Sequence, residues 1–253
     1  MDSSLATTEP FRWPSRGSPQ GFLPLVHRLV PWLAAGALAC CALGFCVGLL
    51  VAPVDARHGD VHRIIYIHVP ATWMSVLIFM LLAFCAGVGR FGNVRLAAMM
   101  AQALAPTGAM FAFMALWTGS LWGKPIWGAW WVWDLRLAAD LVLMALYLAI
   151  IAVHAGIDDA RRADTLVATI ALAGSAIVPA ILASTVLWPA LPVDPALPLR
   201  ESGGRAALLV GLLAVGAGFW LYSSATALLR LRGIILERER QSDWVATCVR
   251  DGR

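Results

Sequence analysis

Charge is scarce in this chain. Of its 253 residues only 13% are charged, while 60% are hydrophobic and the mean hydropathy is +0.76. Soluble globular domains carry about 25% charged residues, so that class is excluded. Cysteine is scarce as well, with five in all. Cys40, Cys41, Cys46 and Cys85 fall in long apolar runs and Cys248 in the C-terminal tail. None sits in an outward connection, where an oxidising compartment would build a disulfide. With no Cys-x-x-Cys, thioredoxin-like exchange and thioether attachment of a cofactor both lack their residues, and the cysteines read as small buried hydrophobes. Paired carboxylates, a nucleophile–base pair and a phosphate-cradling glycine loop are also missing, so no conventional enzyme is expected. There is no internal repeat.

What remains is apolar sequence in lengths that match a bilayer. A helix needs about 20 mostly apolar residues to cross the hydrocarbon core. Six stretches qualify, roughly 32–52, 69–88, 96–117, 137–154, 166–188 and 206–229. Backbone groups in lipid must be satisfied internally, so the expected fold is an all-α integral membrane bundle of six transmembrane helices. The first stretch lies too far along the chain and is too long for a cleavable signal, so it is expected to stay as a span. Residues 1–31, rich in Ser, Pro, Arg and Gly, read as a flexible lead-in. Residues 230–253 read as a basic tail that starts as a helical continuation and anchors the topology.

The basic pI of about 9.0 is informative through its distribution. Six spans put both termini on one side. That side carries thirteen of the nineteen basic residues and the other six, namely Arg57, Arg63, Lys124, Arg136, Arg200 and Arg205. Basic residues favour the cytoplasm, so both termini are expected there. A nucleic-acid partner is not needed to explain the charge; the partner is the lipid bilayer. The outward connections are the longer ones, and function is expected on them.

One of those connections is anomalous. Residues 117–133 hold six of the twelve tryptophans, Trp117, Trp122, Trp127, Trp130, Trp131 and Trp133, and Asp134, Leu135 and Arg136 follow at once. An aromatic belt places a few rings at span ends, as at Trp32, Trp73, Trp188 and Trp220. Six rings in one segment exceed a belt. Gly119, Gly123 and Gly128 let the backbone turn and a flat ligand approach, and the rings can make an apolar shelf. Arg136, at the mouth of the fourth span, suits a ligand carboxylate. The ligand this asks for is large, flat and apolar, with charged edges.

The run Trp122-Gly-Lys-Pro-Ile-Trp-Gly-Ala-Trp-Trp-Val-Trp-Asp134-Leu-Arg136-Leu resembles the tryptophan-rich "WWD" signature of haem-handling proteins of cytochrome c biogenesis. Its Trp-Asp-x-Arg-Leu ending resembles the CcmC branch, whereas the Trp-Asp-Pro endings of the CcmF-like and CcsA-like branches do not fit. The resemblance covers nearly the whole chain. It implies a bacterial inner-membrane protein with periplasmic functional loops that presents non-covalent haem b for transfer to a CcmE-like haem chaperone. The implied partners are a CcmAB-like ABC transporter and a CcmD-like small membrane protein. It also implies that the tryptophans form a porphyrin platform and that Arg136 meets a propionate. Asp134 would orient Arg136 or contact the chaperone.

Of five histidines, His27 and His154 belong to the side of the termini, and His58, His62 and His68 to the other. The context Ile64-Ile-Tyr-Ile-His68-Val-Pro-Ala-Thr-Trp-Met74 resembles the first-loop motif of CcmC, which makes His68 the implied axial ligand. Neutral imidazole suits haem iron, and Pro70 is expected to start the second span just after it. The family's second axial histidine lies in the last outward connection, yet residues 188–205 contain no His, Met, Cys, Tyr or Lys. Three readings follow: His68 alone with water or a partner's residue opposite, a substitute such as His58 or His62, or a homologue with impaired function. Two other classes remain. A transporter moving haem or another solute through the bundle would need more intramembrane charge than Asp140. A purely structural subunit leaves the tryptophans unexplained.

Overall fold

The computed structural model describes residues 19–54, 58–187, 202–242 and 245. These fold as helices in the order α1 (Pro19–Cys46), α2 (Ile65–Phe91), α3 (Arg95–Trp127), α4 (Leu135–Gly156), α5 (Ala160–Gly174), α6 (Ile177–Leu187) and α7 (Ser202–Arg238). A π-helical turn, Val47–Val51, ends α1, and a 3-10 turn, Asp60–Ile64, leads into α2. Six helical stretches are long and apolar enough to cross a membrane, as expected.

α2 and α3 form the most extensively packed pair, α1 docks chiefly on α7, and α4 packs on α3, α5 and α6. Helices in lipid gain little from burying apolar surface against each other, so close approach through small residues matters more. Gly44 lies against the backbone of Val215 and Gly211, and Gly218 against Cys41 and Ala37, which brings α1 and α7 together. The central core is pinned by Tyr147, whose hydroxyl donates to the Ser75 carbonyl at 2.6 Å. Its ring meets Phe79 edge-on at 5.3 Å. A Cβ at Gly108 would overlap that ring, so only glycine lets α3 pass.

The two ends of the bundle are built differently. At one end Phe22, Met99, Ala103, Leu231 and Ile235 cluster, joining the start of α1 and α3 to the end of α7. There Arg238 reaches Asp164 through two donors, at 2.8 and 2.9 Å, and Gln102 at 2.6 Å. At the other end Ala52, Tyr66 and Leu212 meet. Arg63 there donates at 2.7 Å to both the Gly48 and Leu49 carbonyls, which terminates α1. The tryptophan segment belongs to this second end.

Four boundaries differ from the sequence expectation, each for a local reason. Helix α1 reaches back to Pro19, so residues 19–31 are helical rather than part of a flexible lead-in. Proline at the first helical position costs no hydrogen bond, and Leu23 and Val26 are buried. Helix α2 starts at Ile65, before His68 rather than just after it, and Pro70 lies inside the helix, where it leaves the Tyr66 carbonyl without its usual N–H partner. The fifth crossing breaks at Ser175–Ala176, because Pro179 has no N–H for the Ser175 carbonyl. Helix α3 runs to Trp127, far past 117, and closes on Gly128 in the left-handed region at φ 74°. Gly128 N–H donates to the Lys124 carbonyl at 3.0 Å, a helix stop that favours glycine.

The Tyr147 contact gives a stability prediction. Gly108→Ala forces the ring aside and is expected to cost about 1–3 kcal/mol, as overpacking does. Gly216, with nothing within 4 Å of its would-be Cβ, is the control. Thermal melts in detergent should fall for Gly108→Ala and stay level for Gly216→Ala.

Candidate functional site

His68 lies one turn inside α2, facing the outer third of α3. Its Nδ1 is 3.1 Å from the Ala115 carbonyl oxygen and 3.0 Å from Thr118 Oγ1. A carbonyl only accepts, so the proton sits on Nδ1 and donates. The Thr118 hydroxyl donates onward to the Met114 carbonyl at 2.7 Å. This assigns the tautomer and leaves the lone pair on Nε2, which has no hydrogen-bond partner among the described residues. A Cβ at Gly119 would sit 3.3 Å from His68 Cε1, so glycine makes room for the ring. An imidazole held by a backbone carbonyl through one nitrogen, with the other bare, is the arrangement seen in metal-ligating histidines.

No group of three or more His, Cys, Asp or Glu that could hold a metal ion occurs among the described residues. A single imidazole lone pair can bind a metal that is already held by the nitrogens of a macrocycle.

The six tryptophans separate into groups. Trp117, Trp122 and Trp127 are on α3, the last two beyond the expected helix end, so half of the segment is a rigid helical post. Trp122 and Trp127 meet edge-on at 5.7 Å, and His58 lies 6.3 Å from Trp122 and 6.1 Å from His62. Trp122 is four residues beyond Thr118, about 6 Å along the axis and on the same face. His58 and His62 thus stand one turn outward of His68. After Gly128, Trp131 and Trp133 meet edge-on at 5.4 Å, and Lys124 lies 5.8 Å from the Trp130 ring. The indole N–H of Trp131 is buried without a partner. Trp117 stacks on Phe113 at 6.1 Å, and both are exposed.

Asp134 has a local job that the sequence reading did not give it. It caps α4, accepting from Leu137 N–H at 2.7 Å. Arg136 makes no ion pair with it or with any other described residue. The Arg136 guanidinium lies close enough to act electrostatically on both His68 and Asp140. Thr118 and the Ala115 carbonyl were not picked out from sequence, and Gly119, expected there as a turn or ligand-approach glycine, stays inside α3 and makes room for His68. No sequence signal distinguishes the first two, since they matter only through the helix that packs on them. His27 and His154 are at the other end of the bundle, and the connection at 188–201, without its expected histidine, lies outside the described residues.

The site's polar atoms therefore point one way. Among the described residues, a bare imidazole nitrogen, an orphan indole donor and an unpaired guanidinium occur at the end of the bundle that carries the edge-on tryptophan pairs. Such a place fits a flat, metal-bearing, carboxylated ligand.

Comparisons with known proteins agree. The family model described as "CcmC: Heme exporter protein C" matches residues 13–246. Heme exporter protein C of Escherichia coli strain K12 is 37% identical over 231 residues, covering 87% of this chain and 89% of that protein. The protein of the same name from Bradyrhizobium diazoefficiens is 36% identical over 227 residues, 89% of this chain and 86% of that one. The Haemophilus influenzae protein is 33% identical over 219 residues, covering 86% and 89%.

Cap and charge at Asp134 can be separated. Asn caps a helix as well as Asp does, whereas Ala costs about 1 kcal/mol. Asp134→Asn should melt like the wild type and Asp134→Ala lower, which a thermal melt of the detergent-solubilised protein would read.

Proposed function

The chain belongs to the heme exporter protein C family, and on that premise we propose that it is a membrane haem-binding protein of cytochrome c maturation. It binds haem b non-covalently at the tryptophan end of the bundle, facing the periplasm from the inner membrane. From there it hands haem to a CcmE-like chaperone, alongside a CcmAB-like ABC transporter and a CcmD-like small membrane protein. The observation that carries this reading is His68, with Nδ1 tied to α3 and Nε2 left bare.

Each residue has a distinct part. His68 offers Nε2 to the iron. Haem supplies a flat conjugated ring and two carboxylates. Trp122, Trp127, Trp130, Trp131 and Trp133 offer aromatic contact area at low entropic cost. The Trp131 N–H and the Arg136 guanidinium are donors without partners, suited to propionate oxygens. Asp134 acts through the cap that sets where α4, and so Arg136, begins. Trp117, paired with Phe113, anchors α3 in the interface. With a single protein ligand from the described residues, the haem is held mainly by the shelf, which favours handing it on.

The test is spectroscopic. Protein purified in detergent should show a Soret band, lost or greatly weakened in His68→Ala and kept in Trp117→Ala. A wild-type preparation with no Soret band after haem addition overturns the reading. A band unchanged in His68→Ala overturns the ligand assignment alone. Trp131→Phe removes the buried N–H together with part of the ring, and losing a hydrogen bond to a charged group alone costs about 1.5–3 kcal/mol. It should weaken haem binding about tenfold or more in a titration.

A further inference from the structure

Two histidines at this end have no part in that account. His58 lies just before the 3-10 turn Asp60–Ile64 and His62 inside it, and that turn packs on both α2 and α3. The two rings face each other at 6.1 Å with 22° between their planes, and His58 lies 6.3 Å from Trp122. The place of that last contact is informative. Ala115, Thr118, Gly119 and Trp122 follow one another at helical spacing along one face of α3. His68 occupies the first three, with Nδ1 at Ala115 and Thr118 and Cε1 over the spot where a Gly119 Cβ would sit. His58 lies against the fourth. Both imidazoles therefore line one stripe of α3, about one turn apart, and Gly119 leaves the floor between them without a side chain. Helical side chains tilt toward the helix N-terminus, which inclines Trp122, and the His58 ring against it, toward His68. The bare Nε2 of His68 is bonded to Cε1, so it opens at the level of that gap. On this side of the chain the histidines are His58, His62 and His68, and residues 188–205 add no His, Met, Cys, Tyr or Lys.

We infer that His58 is a second iron ligand used in transit, taking the haem iron as His68 gives it up on the way out of the bundle. This rests on the proposed haem reading. At rest the iron stays on His68, whose ring is fixed at Ala115 and Thr118. The step outward is a ligand exchange. The bond from iron to His68 Nε2 breaks, a bond from iron to a His58 nitrogen forms, and no electron or proton is transferred. One nitrogen is enough, since a ring engaged through the other still ligates, as His68 does. His62 is a positioning residue that backs the His58 ring. Iron parting from His68 with nothing to receive it would cross one high barrier. A second imidazole one turn outward divides that barrier in two.

The experiment follows haem passing from the loaded protein to apomyoglobin, a scavenger, in detergent. His58→Phe keeps a flat ring against Trp122 and His62 but cannot ligate. It should slow transfer about tenfold, as a barrier higher by about 1.4 kcal/mol does. The resting Soret band, which belongs to His68, should not change. Protoporphyrin IX without iron should leave wild type and His58→Phe at equal rates, because no ligand is exchanged. The outer ligand also has an equilibrium signature. His68→Ala should keep a weak Soret band, which disappears when His58→Phe is added. His58→Leu repeats the test should the larger ring disturb folding, and melts of the empty proteins report on that. Transfer as fast as wild type in both His58 variants overturns the inference, and so does a His68→Ala band that His58→Phe leaves unchanged. Slowing that persists with the iron-free porphyrin overturns it too, because it would make His58 a packing element. Slowing in His62→Phe with none in His58→Phe does the same, by moving the ligand to the other ring. A wild type that binds no haem at all fails the underlying reading instead, and is told apart by the missing Soret band.

Discussion

A neutral imidazole has one N–H to give and one lone pair to offer, and what becomes of the first determines the second. At His68 the N–H goes to the backbone of α3, at Ala115, with the Thr118 hydroxyl beside it. That contact joins α2 to α3 at their functional end and holds the ring in one tautomer. It also requires that α3 continue as a helix through this region, because both acceptors are on consecutive turns. The absence of a side chain at Gly119 is part of the same contact. The rest of the site is arranged around the nitrogen this leaves bare.

The length of α3 follows from that requirement and has a second consequence. Thirty-three residues of helix span about 50 Å, against a hydrocarbon core of about 30 Å. The excess carries tryptophans on a rigid post, where a loop would let them move. Trp117 and Trp122, five residues apart, lie about 140° apart around the helix. Trp117 accordingly stacks on Phe113 while Trp122 meets Trp127 and His58. Only after the left-handed Gly128 does the chain return, bringing Trp130, Trp131 and Trp133 over the same end.

Charge is handled in opposite ways at the two ends. Arg238, Asp164 and Gln102 form a satisfied network that ties α7, α5 and α3. Arg136, Asp140 and the Trp131 N–H remain open at the other. A membrane protein tolerates open polar groups where a ligand completes them, since lipid supplies no alternative partner. The contrast separates the end with the satisfied network from the end at which the proposed ligand would bind.

Much of this was legible in the sequence, because its causes are local. Apolar runs of bilayer length require helices, and six were countable before any coordinates. The tryptophan run with Asp134 and Arg136 marked the end where haem binding is proposed, and His68 stood out through its neighbours. Other features were not legible, for reasons that are also physical. A helix end depends on what packs beside it, so α3 outran its apolar stretch and α1 began early on buried Leu23 and Val26. That Asp134 also caps α4 could not be read, because capping depends on the backbone turn at 134–137. By itself the sequence determined the spans, the aromatic density and the kinds of chemistry present. Only the tertiary structure decided which nitrogen of His68 is bare, which tryptophan faces away and which charges lack partners. Those are properties of neighbours brought together from α2, α3 and α4, and residues distant in the chain become neighbours only by packing.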